Sequence, residues 1–254
     1  MSSWLLAAAA ALALVTSNAV AQDSEQLKNL LQSVESEARV SSALRADGEL
    51  VVASPDETHH YPITLLYRPG PAGNDLYIEL GNGGGKALLL ANGAKAFRLT
   101  AGAKESEAFP RNETLMGSEF AREDLESFRL ADFGDSRISD DGPQRMTVSL
   151  VPKGSQYSLL VMTIDKERRV PLKILYYRDT VSNLVKMQRD DDYTLVGRKW
   201  LPATITMEDF KLRTLSTLKL RWSQSPTFPP ELFDPTFLTR PLGLKPPEGK
   251  TAAP

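Results

Sequence analysis

Apolar and polar residues alternate along most of the chain, in short segments that turn-forming residues separate. Alternation with a period of two is typical of β-strands with one buried face. The pattern begins near Val40 and predicts strands over residues 61–68, 75–80, 86–90, 96–99, 145–151, 157–164, 172–178, 184–188, 193–200, 203–207 and 212–222. Because the connections are short, we expect about ten antiparallel strands or slightly more, in one sheet that its own twist curves.

Two other stretches lack this alternation. Residues 23–34 place apolar side chains from Leu27 to Val34 on one helical face, and Asp23 begins a pattern like a capping box. These features predict an amphipathic helix packed on the sheet. Residues 133–142 are polar and rich in glycine and aspartate, and they are predicted to form a loop.

The stretch 115–128 also breaks the strand pattern. Gly117 ends what precedes it, Ser118 is a suitable N-cap, and the acids that follow suit the first turn of a short helix. Arg122 and Glu126 are four residues apart and could pair on an exposed face. The large apolar residues of this stretch must lie on the sheet. Periodicity favours a helical plug that seals one end of the sheet, and the alternative is a lid over an apolar cavity.

This stretch reads Met-Gly-Ser-Glu-Phe, then Arg-Glu-Asp-Leu. It resembles the Met-Gly-Ser-Asp-Phe-x-x-Glu-Asp-Leu signature of LolA-like outer-membrane lipoprotein-sorting proteins. Further similar segments lie at residues 170–177, 184–186 and 200–207, so that the resemblance spans residues 45–238. The chain departs from the family at residues 95–104, where one Phe replaces an aromatic pair and the usual proline is missing.

The resemblance implies a mainly β (α+β) fold. The expected architecture is a strongly curved antiparallel half-barrel of the LolA/LppX type, with helices packed in the concave face. It also implies a carrier that binds the acyl chains of a lipoprotein or lipid in an apolar cavity and shuttles it towards the outer membrane. An inner-membrane exporter of the resistance-nodulation type is a candidate partner. The lid and cavity candidates are Met116, Phe120, Leu125, Phe128, Phe97, Met146, Leu160, Met162, Leu218 and Leu220.

The N-terminus predicts export. An apolar run from Leu5 to Val15 precedes an Ala-x-Ala sequence that ends at Ala21, which is typical of a cleavable signal peptide. The run is too short to span a bilayer as a helix. We therefore expect a signal peptide over residues 1–21, one carrier domain over 22–238 and a Pro-rich disordered tail over 239–254. The mature protein is expected to be periplasmic and soluble, with only transient membrane contact.

Composition narrows the chemistry. A net charge of −2 argues against a nucleic-acid partner, and the absence of cysteine excludes thiol catalysis and disulfides. His59 and His60 are the only histidines. They are adjacent, and the chain has no Gly-x-Ser-x-Gly motif, so neither a serine triad nor a zinc site is expected. The acidic run 190–192 is predicted to be a solvated turn. We expect no catalytic residue, metal or cofactor.

Two alternatives stay open at the level of sequence. The same fold with a filled interior could serve as an envelope adaptor that docks on an exporter. A pair of acids could also serve a carbohydrate-active protein, because the separation of the acids cannot be read from the sequence.

Overall fold

The computed structural model describes residues 25–82, 85–90, 95–224 and 228–240. The main element is one curved, open antiparallel sheet of 13 strands, which confirms the expected half-barrel. The strands are β1 (Leu44–Ala53), β2 (Thr58–Gly70), β3 (Gly73–Leu80), β4 (Gly85–Leu90), β5 (Lys95–Leu99), β6 (Glu107–Ala108), β7 (Phe133–Asp141), β8 (Arg145–Pro152), β9 (Leu159–Asp165), β10 (Val170–Tyr177), β11 (Leu184–Val196), β12 (Lys199–Asp209) and β13 (Thr214–Gln224).

The strand order is β6-β5-β4-β3-β2-β1-β13-β12-β11-β10-β9-β8-β7. Strands β1 to β6 therefore run from the centre of the sheet to one edge, and β7 to β13 run from the other edge back to the centre. There β13 pairs with β1, with Leu50 opposite Leu218. Residues 109–132 connect the two edges, and we call this segment the strap. Phe109, Leu115 and Phe120 of the strap belong to the main hydrophobic core.

The pairing of β1 with β13 is unusually close at Gly48. A Cβ atom at this position would lie 1.8 Å from the carbonyl oxygen of Lys219 on β13. Only glycine lets the two backbones approach this closely.

One α-helix, α1 (residues 25–38), lies in the described part of the chain. It buries Leu27, Leu31 and Val34 in the main core, as the periodicity predicted. The Nζ atom of Lys199 donates to the carbonyl of Ser36 at 2.6 Å, so the helix is attached at the turn between β11 and β12. Here α1 closes one end of the half-barrel.

A smaller core lies on the outer face of β2 to β4. Leu66, Tyr77 and Leu88 contact two short 3-10 helices, Pro230–Phe233 and Pro235–Thr239, which pack there through residues such as Phe233. The guanidinium of Arg68 stacks 4.1 Å above the Phe233 ring. The C-terminal segment thus covers apolar side chains that face away from the main core.

Two predictions for the strands were wrong. Residues 133–142 form the edge strand β7 rather than a loop, and most of their side chains are exposed, so no apolar alternation marks the strand. The two strands predicted over 184–188 and 193–200 are mainly one strand, β11. The acids at 190–192 consequently lie within a strand, and Asp190 is buried.

The strap contains no α-helix, contrary to the sequence prediction. Its helical parts are two 3-10 turns, Arg122–Leu125 and Leu130–Asp132. The helices expected in the concave face are represented, in the described part of the chain, by α1 and short 3-10 turns.

Some predictions lie outside the described residues: the signal peptide, the capping residue Asp23 and most of the Pro-rich tail. His59 and His60 lie exposed on β2 and pair with Glu57 and Glu49. In the ranges described, no helix is long and apolar enough to cross a membrane.

Candidate functional site

A cavity of about 300 Å³ lies between the inner face of the sheet, α1 and the strap. The sheet contributes alternate residues of strands from both halves, because side chains two residues apart share a face. The wall from the first half includes Ile63, Leu65 and Tyr67 of β2. The opposite wall includes Ile205 and Trp222, and α1 contributes Val34. The volume of the cavity is at the lower end of the range for ligand pockets, about 300–1,000 Å³.

The structure divides the predicted site residues into two groups. Those that line the cavity are Phe120, Leu125, Phe128, Leu160, Met162 and Leu218. Met146 and Leu220 are buried in the main core without reaching the cavity, and Met116 packs against that core. Phe97 packs against the smaller core on the outer face. A role in ligand binding stays a prediction for the residues that line the cavity. The other four residues do not line it.

Residues 115–118 of the strap form a tight turn. Ser118 N donates to Leu115 O at 2.9 Å, and both central residues have positive φ, 49° at Met116 and 76° at Gly117. These values define a type I′ turn, which joins antiparallel strands. Leu115 N donates to Phe120 O at 2.8 Å, so the turn closes a small hairpin. The side chain of Met116 lies over Gly85, where a Cβ atom would be 2.5 Å from the methionine methyl.

Glu119 holds this hairpin to the sheet. Its backbone N–H donates to Ser216 Oγ at 2.8 Å, and its carbonyl accepts from Lys186 Nζ at 2.7 Å. Its carboxylate accepts a hydrogen bond from the hydroxyl of Thr214. Phe120, the next residue, is only 2 % exposed. Residues 113–122 are therefore attached to β11 and β13 by hydrogen bonds of Glu119, and we call this hairpin the plug.

The buried carboxylate of Asp124 is hydrogen-bonded to the plug at Ala121. Asp124 Oδ2 accepts hydrogen bonds from Ala121 N at 2.8 Å and Tyr157 Oη at 3.3 Å, and Lys186 Nζ lies 3.4 Å away. Burial raises the pKa of Asp124 to about 6, although the charge of Lys186 and the two hydrogen bonds act in the opposite direction. The sequence motif identified the position of Asp124 but not this partner, which lies on β11.

Glu126 links two arginines at the next turn of the strap. It contacts Arg122 at 2.8 Å and Arg111 at 3.0 Å, and Arg111 also donates to the carbonyl of Gly154 at 2.8 Å. The predicted pair of Arg122 with Glu126 is therefore present. It does not lie on an exposed face, because Arg122 is buried, and that burial lowers its pKa.

Residues 125–132 separate the main cavity from a second one of about 100 Å³, and Leu125 and Arg129 line both. Phe128 is only partly buried, and its ring stacks on Phe133 with 5.1 Å between centroids. We call residues 125–132 the gate segment.

A row of polar side chains crosses the inner face on β11. Lys186, Gln188 and Asp190 alternate on this face and are buried. Tyr176 donates to Gln188 at 2.8 Å, and Gln188 donates to Asp190 at 2.8 Å. Burial raises the pKa of Asp190 to about 7. In the described part of the chain, Asp190 forms no ion pair. Sequence analysis missed this row because it divided β11 into two strands.

Known structures share this architecture. A candidate outer membrane lipoprotein-sorting protein domain from Vibrio parahaemolyticus is 18% identical with a TM-score of 0.76, and the match covers 84% of this chain and 97% of that one. A DUF1329 family protein from Desulfovibrio piger is 14% identical with a TM-score of 0.72, covering 83% and 96%. A LolA superfamily protein from Nitrosomonas europaea is 16% identical with a TM-score of 0.62, covering 81% and 96%.

Sequence comparison gives a family as well. A search of the curated proteins found no match. A family model described as "uncharacterized protein"-like matches residues 103–240, which include the strap, β7 to β13 and the C-terminal 3-10 helices. This match covers more than half of the chain. The chain therefore belongs to that family, and its fold is that of the LolA-like lipoprotein-sorting domains.

Proposed function

We propose that this protein is a carrier that holds the acyl chains of a lipid or lipoprotein in the cavity between the sheet and the strap. The observation that carries the proposal is the apolar cavity itself, bounded by the plug and by the gate segment. Burial of each methylene contributes about 0.8 kcal/mol, so an apolar cavity can retain an alkyl chain without any reactive group. At the cavity, Asp124 Oδ2 accepts hydrogen bonds from Ala121 N and Tyr157 Oη, and the proposal includes no catalysis.

The gate segment is the proposed route for cargo. It separates two cavities, and its residue Phe128 is only partly buried. Elements that open have to be drawn from the less stable parts of a fold. The plug has hydrogen bonds to both β11 and β13 and is expected to stay in place while the gate segment moves.

The proposal includes a place and a partner. A signal peptide over residues 1–21 would deliver the domain over 22–238 to the periplasm, together with the Pro-rich tail over 239–254. An inner-membrane exporter of the resistance-nodulation type would be the donor or a docking partner. The support for this part is the signal-like N-terminus and the lipoprotein-sorting fold.

The test measures cargo directly. Mass spectrometry of an organic extract of the purified protein should detect lipid, and a fluorescent fatty-acid probe should bind at a saturable site. Ile205→Trp should lower probe affinity at least tenfold, because the larger ring fills the cavity that Ile205 lines. Leu195→Trp is the matched control, since Leu195 is 57% exposed on the same sheet.

Two results would count against a carrier. A folded protein without lipid and without saturable probe binding would favour the adaptor with a filled interior. Equal probe affinity in the Ile205→Trp variant and the wild type would place the binding site elsewhere.

A further inference from the structure

Large apolar side chains are exposed mainly at one end of the sheet. In the described ranges, the most exposed are Val181 at 71%, Leu212 at 60% and Leu195 at 57%. Val181 lies in the turn between β10 and β11, and Leu212 lies with exposed Phe210 in the turn between β12 and β13. Because β11 and β12 are neighbours, these two turns project side by side from the same end. Leu195 lies on β11 near the opposite end.

The turn between β12 and β13 has few unsatisfied backbone groups. The carboxylate of Asp209 accepts hydrogen bonds from Lys211 N at 2.8 Å and from Leu212 N at 2.7 Å. Phe210 N donates to Val185 O at 3.1 Å, which attaches this turn to β11. A turn whose amides are already bonded loses little when water around it is replaced by a less polar medium.

Cations alternate with the apolar residues of this turn. The sequence Phe210-Lys211-Leu212-Arg213 is exposed throughout, and neither Lys211 nor Arg213 has a carboxylate partner in the part of the chain that the structure describes. The acid at the base of the turn, Asp209, is occupied by the backbone amides. The outermost residues therefore present apolar groups and positive charge together, a combination that suits the boundary between anionic headgroups and acyl chains.

We propose that the turns 178–183 and 210–213 dock the protein on a bilayer surface rich in anionic lipid. Phe210, Leu212 and Val181 would enter the outer part of the acyl region, while Lys211 and Arg213 contact phosphate groups. Docking in this orientation brings the plug close to the membrane, because Thr214, the residue after the turn, donates to Glu119. The inference does not depend on which cargo the cavity holds.

Vesicle flotation with purified protein tests the charges and the apolar groups separately. Protein should float with vesicles that contain equal parts of phosphatidylglycerol and phosphatidylcholine, and much less with pure phosphatidylcholine. The double variant Lys211→Gln with Arg213→Gln should weaken binding about 30-fold, because each cation contributes about 1 kcal/mol of binding free energy near an anionic surface. Leu212→Ser should weaken it about tenfold. Leu195→Ser, a matched change at similar exposure, should leave binding unchanged.

Site-specific labelling tests the orientation. The chain has no cysteine, so Leu212→Cys can carry a single environment-sensitive fluorophore. Its emission should shift to the blue on addition of the anionic vesicles, and the same label at Leu195→Cys should not respond. Equal responses at the two positions, or binding that the charge and Leu212 variants leave intact, would overturn the proposal. Both readouts are independent of acyl-probe binding, so failure here would leave the carrier proposal standing.

Discussion

Replacement of Asp190 by asparagine should stabilise the protein at alkaline pH. Asp190 is a buried acid on β11 without an ion pair among the described residues, and burial raises its pKa from 3.8 to about 7. Gln188 donates to one carboxylate oxygen. Tyr193 lies 3.4 Å from the other oxygen and already donates to the carbonyl of Pro171. An asparagine amide could therefore donate to the tyrosine oxygen and accept from Gln188, so the network would lose no partner.

The magnitude follows from linkage. A pKa that is raised in the folded state means that folding favours the protonated acid. That contribution is fully present below about pH 4 and is lost as pH rises through about 7. The difference from 3.8 to about 7 corresponds to about 4 kcal/mol, at about 1.4 kcal/mol per pKa unit. The wild type should therefore lose about this much of its free energy of unfolding between these limits through Asp190 alone.

Urea denaturation from pH 4 to pH 8 measures the effect. Asp190→Asn should be more stable than the wild type at pH 8 by a few kcal/mol, and its free energy of unfolding should fall less as pH rises. Asp191→Asn is the control, because Asp191 is exposed on the other face of the same strand. If Asp190→Asn were less stable than the wild type at pH 8, the folded protein must stabilise the charged form, and the reasoning would be wrong.

Four further changes test the remaining parts of the site and sheet by denaturation and acyl-probe titration. Phe120→Ala should lower the free energy of unfolding by about 3–5 kcal/mol, since Phe120 is buried in the plug. Phe128→Ala should lower it by less than about 2 kcal/mol and should weaken probe binding. If Phe128→Ala were the more destabilising of the two, the assignment of plug and gate segment would be wrong. Lys186→Met should cost about 3–5 kcal/mol, because Asp124 loses its cation. Gly48→Ala should prevent normal pairing of β1 with β13, and a variant as stable as the wild type would contradict the close approach.

The sequence predicts the architecture where one face of each strand is apolar. Strands β8 and β9 alternate clearly, and the periodicity of α1 places Leu31 and Val34 correctly in the core. It fails at β7, an edge strand with mostly exposed side chains, because only Phe133 and Ile138 are apolar and register shifts interrupt the period. It fails again at β11, where three consecutive acids resemble a turn although Asp190 lies on the buried face.

The candidate site was predicted in part for a similar reason. The signature stretch identified Phe120, Leu125 and Phe128, which line the cavity. The polar row on β11 could have been predicted from the spacing of Lys186 and Gln188, had the strand been recognised as continuous. The opposite wall, such as Leu65 on β2, was visible as alternation but had no chemical feature to mark it as functional. Which apolar faces surround the cavity depends on how the sheet, α1 and the strap pack together, and this packing cannot be read from the alternation.

The central pairing of β1 with β13 has a consequence for how the protein reaches its folded state. Strand β1 begins at Leu44 and its partner β13 ends at Gln224. The two strands can therefore pair only after nearly the whole domain has left the ribosome or a translocation channel. Until then β1 presents an open edge, and contacts this distant in sequence form slowly. The sheet is therefore expected to remain incomplete until β13 has been synthesised, and this delay would suit the export that the N-terminal sequence predicts.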